Sequence, residues 1–175
     1  MNKSQYQIST AMKTFIFLLM VLVVVSVVSA QTGKLPETEL KTLDGIPVSS
    51  TVMLPPGNPT ILVFWKSTSE KCCDNLESMQ SAWTETLREK GVKIVAICVD
   101  CKGSWGHVKP MVMGKAWDFE TYIDVNGSFM RAMSVNSMPC TILFDKNLNQ
   151  VCRYNGYCSG GGEMICTKVL EHLGK

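Results

Sequence analysis

Two apolar runs on either side of a helix-period stripe constrain this chain more than any other feature. Ile61 to Trp65 reads ILVFW and Val92 to Val99 reads VKIVAICV. Runs rich in β-branched and aromatic residues, without polar alternation, are strands buried on both faces. Between them Cys72, Leu76, Met79, Trp83 and Leu87 step by four, three, four and four, one stripe of a helix that stops near Gly91. Strand, helix and strand in that order form the crossover unit of a parallel sheet, right-handed in nearly all cases.

The rest of the chain extends this unit. Asp118 to Ile123 reads as another strand, and Asn126 to Met133 as a short helix offering Phe129, Met130 and Met133 to a core. Thr141 to Phe144 and Gln150 to Tyr154 flank a polar turn, Asp145 to Asn149, and so predict an antiparallel hairpin. Gly160 to Gly162 leads into a terminal helix from about Glu163 to Leu173. Pro36, Asp44-Gly45, Pro55-Pro56-Gly57 and Pro59 punctuate an irregular leading segment with room for a hairpin. The expected class is α/β, a central mixed sheet flanked by helices on both faces, with an N-terminal irregular or hairpin extension.

Phe15 to Val28 is an apolar run preceded by Lys13 and followed by Ser29-Ala30, small residues of the kind a signal peptidase reads. The run falls short of the ~20 residues that span a bilayer comfortably. The expectation is therefore a signal peptide over residues 1–30 and an exported domain over 31–175, periplasmic or otherwise extracytoplasmic. An anchor retained at residues 14–28 is the alternative, and only that would make a membrane a partner. Lys3 and Lys13 are the only charges before residue 31, so the mature chain carries 15 basic and 15 acidic groups. That balance excludes nucleic acid as the main partner. All eight cysteines lie beyond residue 70, a density that points to redox or metal chemistry.

Several separated segments carry a family resemblance. Phe64-Trp65 with the turn and helix after it, Trp117 to Asp124, Val135-Asn136-Ser137-Met138-Pro139 and Thr141 to Asp145 together resemble exported TlpA/ResA-like proteins of the thioredoxin fold, over roughly residues 35 to 173. Members of that family carry FWA[ST]WCxPC after the first strand. The matching stretch runs from Phe64 to Cys72, with Ser69 where the family has the first cysteine. The resemblance implies a thioredoxin fold, thiol-disulfide exchange with protein thiols and disulfides, an unidentified redox partner and no cofactor. It also implies a cis bond before Pro139 and a substrate groove formed by Trp65, Ser69, Met138, Pro139 and Cys140.

Ser69 changes what this turn can do. The family's first cysteine sits at a helix start, where free N–H groups and the dipole favour a thiolate. An alcohol forms no disulfide, so the usual two-cysteine cycle is closed, and Ser69 reads as a helix N-cap. Cys72 matches the resolving cysteine and lies on the inward stripe. Cys73 follows it about 100° round the helix, as a replacement nucleophile or a structurally bridged thiol. A Cys72–Cys73 bridge would be a strained small ring. Cys140, directly after Pro139, is expected near this pair, and a disulfide between them is the corresponding test. The candidate catalytic residues are Cys72 and Cys73.

The remaining sulfur is assigned elsewhere. Alternation puts Cys98 in the core and Cys101 in a loop, on opposite faces. His107 is a solitary candidate ligand, so no metal site is assigned. Copper delivery, as in Sco-like proteins of the same superfold, lacks its paired cysteines here. Met111 and Met113 read as packing residues. Cys152, Cys158 and Cys166, on the last strand, the loop and the terminal helix, offer a structural bridge whose pairing spacing does not assign. The expected function is thiol-disulfide exchange at an SxxCC site. A non-catalytic binding or structural domain is the alternative. A further alternative is a thiol peroxidase, since SxxC is similar to the TxxC of peroxiredoxins, though without the proline that precedes theirs.

Overall fold

The computed structural model describes residues 35–100 and 105–173. The apolar leader and Cys101 lie outside those residues. Seven strands form one mixed sheet in the order β2-β1-β5-β4-β3-β6-β7. The two strongest apolar runs occupy its centre: β3 (Thr60–Trp65) is parallel to β4 (Lys93–Cys98), and every β3 residue is buried. β5 (Glu120–Ile123) continues the parallel set beside β4. The expected hairpin of β6 (Cys140–Phe144) and β7 (Gln150–Asn155) adds antiparallel to β3 on the other side. The leading segment forms a second hairpin, β1 (Glu39–Thr42) and β2 (Pro47–Ser49), which joins the same sheet through β5.

One-turn helix α1 (Ser50–Met53) follows β2. Helix α2 (Glu70–Ala82) crosses over from β3 to β4. Its stripe stays buried to Leu87 because the helix widens to a π turn at Trp83–Leu87, then tightens to a 3-10 turn at Arg88–Lys90. Trp83 donates its indole N–H to the Val92 carbonyl at 2.7 Å. Gly91, at φ 74°, ends the helix in the left-handed region that favours glycine. Sequence reading did not foresee α3 (Val108–Gly114), which lies between β4 and β5. Its Val108 and Val112 are buried, Met111 is partly so, and Met113 points to solvent at 69% exposure, contrary to a packing role.

Helix α4 (Ser128–Ala132) starts on the buried Asp124 carboxylate, which accepts from the Ser128 and Met130 N–H groups at 2.9 and 2.8 Å. Helix α5 (Gly161–Leu173) packs against α2. The approach is close at Gly162, whose N–H donates to Ser78 Oγ at 3.2 Å, and a Cβ there would stand 2.5 Å from the Ser78 carbonyl oxygen.

Two apolar clusters fill the faces of the sheet. One joins Ile61, Val63, Trp65, Ala96 and Cys98 to α2, α3 and α5. The other joins Leu62, Phe64, Val95, Ile97, Cys140 and Ile142 to α1 and α4, with Phe64 and Phe129 ring centroids 5.4 Å apart. No helix among the described residues is long and apolar enough to cross a membrane.

Candidate functional site

The site lies at the carboxyl ends of the central parallel strands, where the chain leaves β3 for α2 and β4 for α3. Ser69 occupies the N-cap position with extended backbone, and its carbonyl accepts from the Cys72 and Cys73 N–H groups at 3.0 and 3.1 Å. Its hydroxyl makes no capping bond, so the expected side-chain cap does not form.

Cys72 points inward and is fully buried, as its stripe position requires. Cys73 is partly exposed and donates its thiol to the Ser67 carbonyl at 3.9 Å. Burial pushes this thiol above its ordinary pKa; Lys115 pulls it down, while Cys72, Glu77 and Asp74 push it further up. Cys73 is therefore a held thiol with one cation nearby.

A polar network that sequence reading missed pins the turn between β3 and α2. The buried Asp100 carboxylate accepts from the Ser67 N–H at 2.9 Å and from the Ser67 hydroxyl. His107 Nε2 lies 2.6 Å from Ser67 Oγ and 3.5 Å from Asp100 Oδ2. With the Ser67 proton committed to Asp100, His107 donates and Ser67 accepts. This is not a nucleophilic serine arrangement, which needs the imidazole between acid and hydroxyl. Here the hydroxyl stands between acid and imidazole and is occupied from both sides, so it is a structural tie. His107 is thus a network partner, and no group of three metal-ligating side chains converges among the described residues.

The other sulfurs have distinct surroundings. Cys98 is buried beside Trp65, as expected, and its pKa is raised strongly, first by burial and then by Asp100. Cys140 requires a correction: it pairs with Phe64 and belongs to the opposite cluster from Cys72, so the sheet separates the two sulfurs. The strand begins at position 140 with that residue's Cβ on the Phe64 side, and pleat parity fixes the rest. Cys152, Cys158 and Cys166 lie on β7, the following loop and α5, all as free thiols, with Cys166 donating to the Ala82 carbonyl at 3.4 Å.

A groove of ≈ 490 Å³ runs beside the turn, lined by Lys66, Ser69, Met130, Val135, Asn136, Ser137 and Met138. The Met138–Pro139 bond is cis. Of the five expected groove residues, Ser69 and Met138 line it and the buried Pro139 adjoins Met138. Trp65 and Cys140 do not: Trp65 is fully buried against Trp117 with rings 5.4 Å apart and T-shaped, and Cys140 is fully buried at the start of β6, in the cluster of Phe64.

Known structures share this architecture. The solution structure of a thioredoxin-like protein from Porphyromonas gingivalis superposes with TM-score 0.69 at 31% identity, covering 80% of this chain and 92% of that one. A crystal structure of a thiol:disulfide interchange protein DsbE from Chlorobium tepidum gives TM-score 0.68 at 23% identity, covering 82% and 98%. A secreted disulfide oxidoreductase of Mycobacterium tuberculosis gives 0.62 at 18%, covering 77% and 95%. No curated protein matches the sequence. Residues 32–151 match the AhpC/TSA family, so this thioredoxin-fold chain belongs to the AhpC/TSA family.

Proposed function

We propose that the protein is an extracytoplasmic thiol-disulfide oxidoreductase that works through an SxxCC site, with Cys73 as the attacking thiol. The observation that carries this reading is the half-exposed Cys73 thiol in the first turns of α2, while its neighbour Cys72 is sealed from solvent. A disulfide can be attacked only by a thiol it can reach. The thiol:disulfide interchange and disulfide oxidoreductase names of the structural neighbours support the reaction class, and the secreted mycobacterial neighbour supports the location. The apolar leader over residues 1–30 supports export by cleavage of a signal peptide. Protein thiols and disulfides are the substrates, and the groove at Ser69, Met138 and cis-Pro139 gives an extended partner segment a place to lie.

Peroxide reduction at Cys72 fits less well, because full burial denies peroxide the sulfur. The structural alternative predicts thiols that do not exchange.

Incubating the reduced full chain with oxidised glutathione, then mapping adducts by peptide mass spectrometry, decides the matter. A mixed disulfide at Cys73 that dithiothreitol reverses, that Cys73→Ser abolishes and that Cys140→Ser leaves intact is the expected result. If Cys73 stays free over the whole range of glutathione ratios, the exchange reading is wrong and the domain binds without turnover.

A further inference from the structure

Cys73 stands between two groups that pull its proton in opposite directions. On one side the Ser67 carbonyl accepts from the thiol at 3.9 Å, a contact only the protonated form makes. On the other side, Glu77 lies four residues along α2, on the same helical flank as Cys73. Lys115, the C-cap of α3, reaches across to that flank and ion-pairs with Glu77, with its Nζ 5.8 Å from the centre of the Trp117 ring. The flank also differs from the groove, whose lining includes Ser69 but not Cys73.

Resting on the reading of Cys73 as the exchanging thiol, we propose that Lys115 is the charge partner of the Cys73 thiolate and that Glu77 competes for it. Loss of the proton removes the bond to the Ser67 carbonyl and turns that carbonyl's dipole against the sulfur. The compensating charge on this flank is the Lys115 ammonium, held at Glu77 one helical turn along α2. Side chains four apart on a helix are about 5–6 Å from each other, within reach of a lysine stem that changes rotamer without backbone movement. The face of Trp117 steadies the cation on that path.

The charged groups that face Cys73 agree with this assignment. Cys72, Asp74 and Glu77 on α2 all disfavour the thiolate, and Lys115 on α3 favours it. His107, beyond Ser67, is engaged with Ser67 and Asp100. The reaction served is balanced in electrons and atoms: the Cys73 thiolate attacks one sulfur of a substrate disulfide, forms a mixed disulfide and expels the other half as a thiolate. The Cys73 proton has gone to solvent beforehand, and the leaving thiolate takes one back.

The test follows iodoacetamide alkylation of Cys73 in the full chain, by peptide mass spectrometry, from pH 6 to 10. Lys115→Gln should slow alkylation at pH 7.5 about two- to fivefold and move the profile to higher pH, the size expected of a partly exposed charge pair. Lys115→Arg keeps the profile, because the charge and the ring contact survive. Glu77→Gln should speed alkylation, and the gain should be clearly smaller in the Lys115→Gln background, leaving only the direct repulsion of the carboxylate. Superimposable profiles for Lys115→Gln and the unaltered chain overturn the proposal. So does a Glu77→Gln gain that is undiminished without Lys115, since the carboxylate then acts wholly by direct repulsion and competes for nothing. Oxidised glutathione separates this from the exchange reading. Lys115-dependent alkylation without any mixed disulfide keeps the charge pair and removes the enzyme, whereas a mixed disulfide with Lys115-independent rates does the reverse.

Discussion

The sheet face beneath α2 and α5 holds Cys72, Cys98 and Cys166 in its buried cluster, with Cys73 and Cys152 at the margin, whereas the opposite cluster holds Cys140. Both faces are built from the same strands and bury the same kinds of side chain. What separates them is the polar equipment at the carboxyl ends of β3 and β4. Among the described residues, the first face carries the start of α2, a buried carboxylate tied to Ser67, and a lysine paired with Glu77 on the flank of Cys73. A buried cysteine away from such groups behaves as a small apolar residue, and Cys140, packed with Phe64 and Ile142, is that case. The comparison teaches that solvent access and neighbouring charge, rather than cysteine count, distinguish one thiol from another.

The comparison breaks most visibly through packing. Phe129 is fully buried and packs against Phe64, rings tilted, on the face without the site. Phe129→Ala should cost about 3–5 kcal/mol in urea unfolding, yet leave alkylation of Cys73 in the folded protein unchanged. A change in that rate would show the faces to be coupled. Gly162→Ala is the counterpart on the other face, because its Cβ would meet the Ser78 carbonyl oxygen at 2.5 Å. The two helices must part, at a cost of about 1–3 kcal/mol. Since α2 carries Cys73, its alkylation should change too, and an unaltered rate would mean that the far end of α2 absorbs the strain.

The smallest effect near neutral pH concerns the thiols themselves. Burial raises the pKa of Cys73, Cys98, Cys140, Cys152 and Cys166. The folded chain therefore keeps protons that the unfolded chain releases above an ordinary thiol pKa of ~8.5. Stability should be flat below that value and fall as pH rises beyond it, by up to about 1.4 kcal/mol per pH unit for each thiol held protonated. Cys98→Ala should flatten this alkaline slope more than Cys140→Ala. Asp100 adds to the burial effect at Cys98, whereas Arg153 offsets it at Cys140. Equal slopes for the two variants would erase the electrostatic distinction between the faces.

Much of the fold was legible because it rests on local periodicity. The runs at Ile61 and Val92 became β3 and β4, and the stripe from Cys72 to Leu87 became a helix with a buried edge. The polar turn at Asp145 became a hairpin in which that carboxylate accepts from the Asn147 and Asn149 N–H groups, each at 2.8 Å. Helix α3 was missed because its apolar stripe is only Val108 and Val112, too short to show a period. Cys140 was misplaced because adjacency to Pro139 in sequence says nothing of which way the strand's first side chain points. The Ser67, Asp100 and His107 tie was invisible because its members lie 33 and 40 residues apart, with no motif linking them.

Sequence alone determined the crossover unit, the thioredoxin-like order of elements and the adjacent thiols Cys72 and Cys73 in the helix after the first central strand, since each is written in residue type and spacing within one segment. Tertiary structure decided which sulfur solvent reaches, which face Cys140 joins, and that Lys115 and Glu77 meet beside Cys73. Those outcomes depend on strand register and helix docking, which bring together side chains from distant segments and set the burial and charge that a thiol feels.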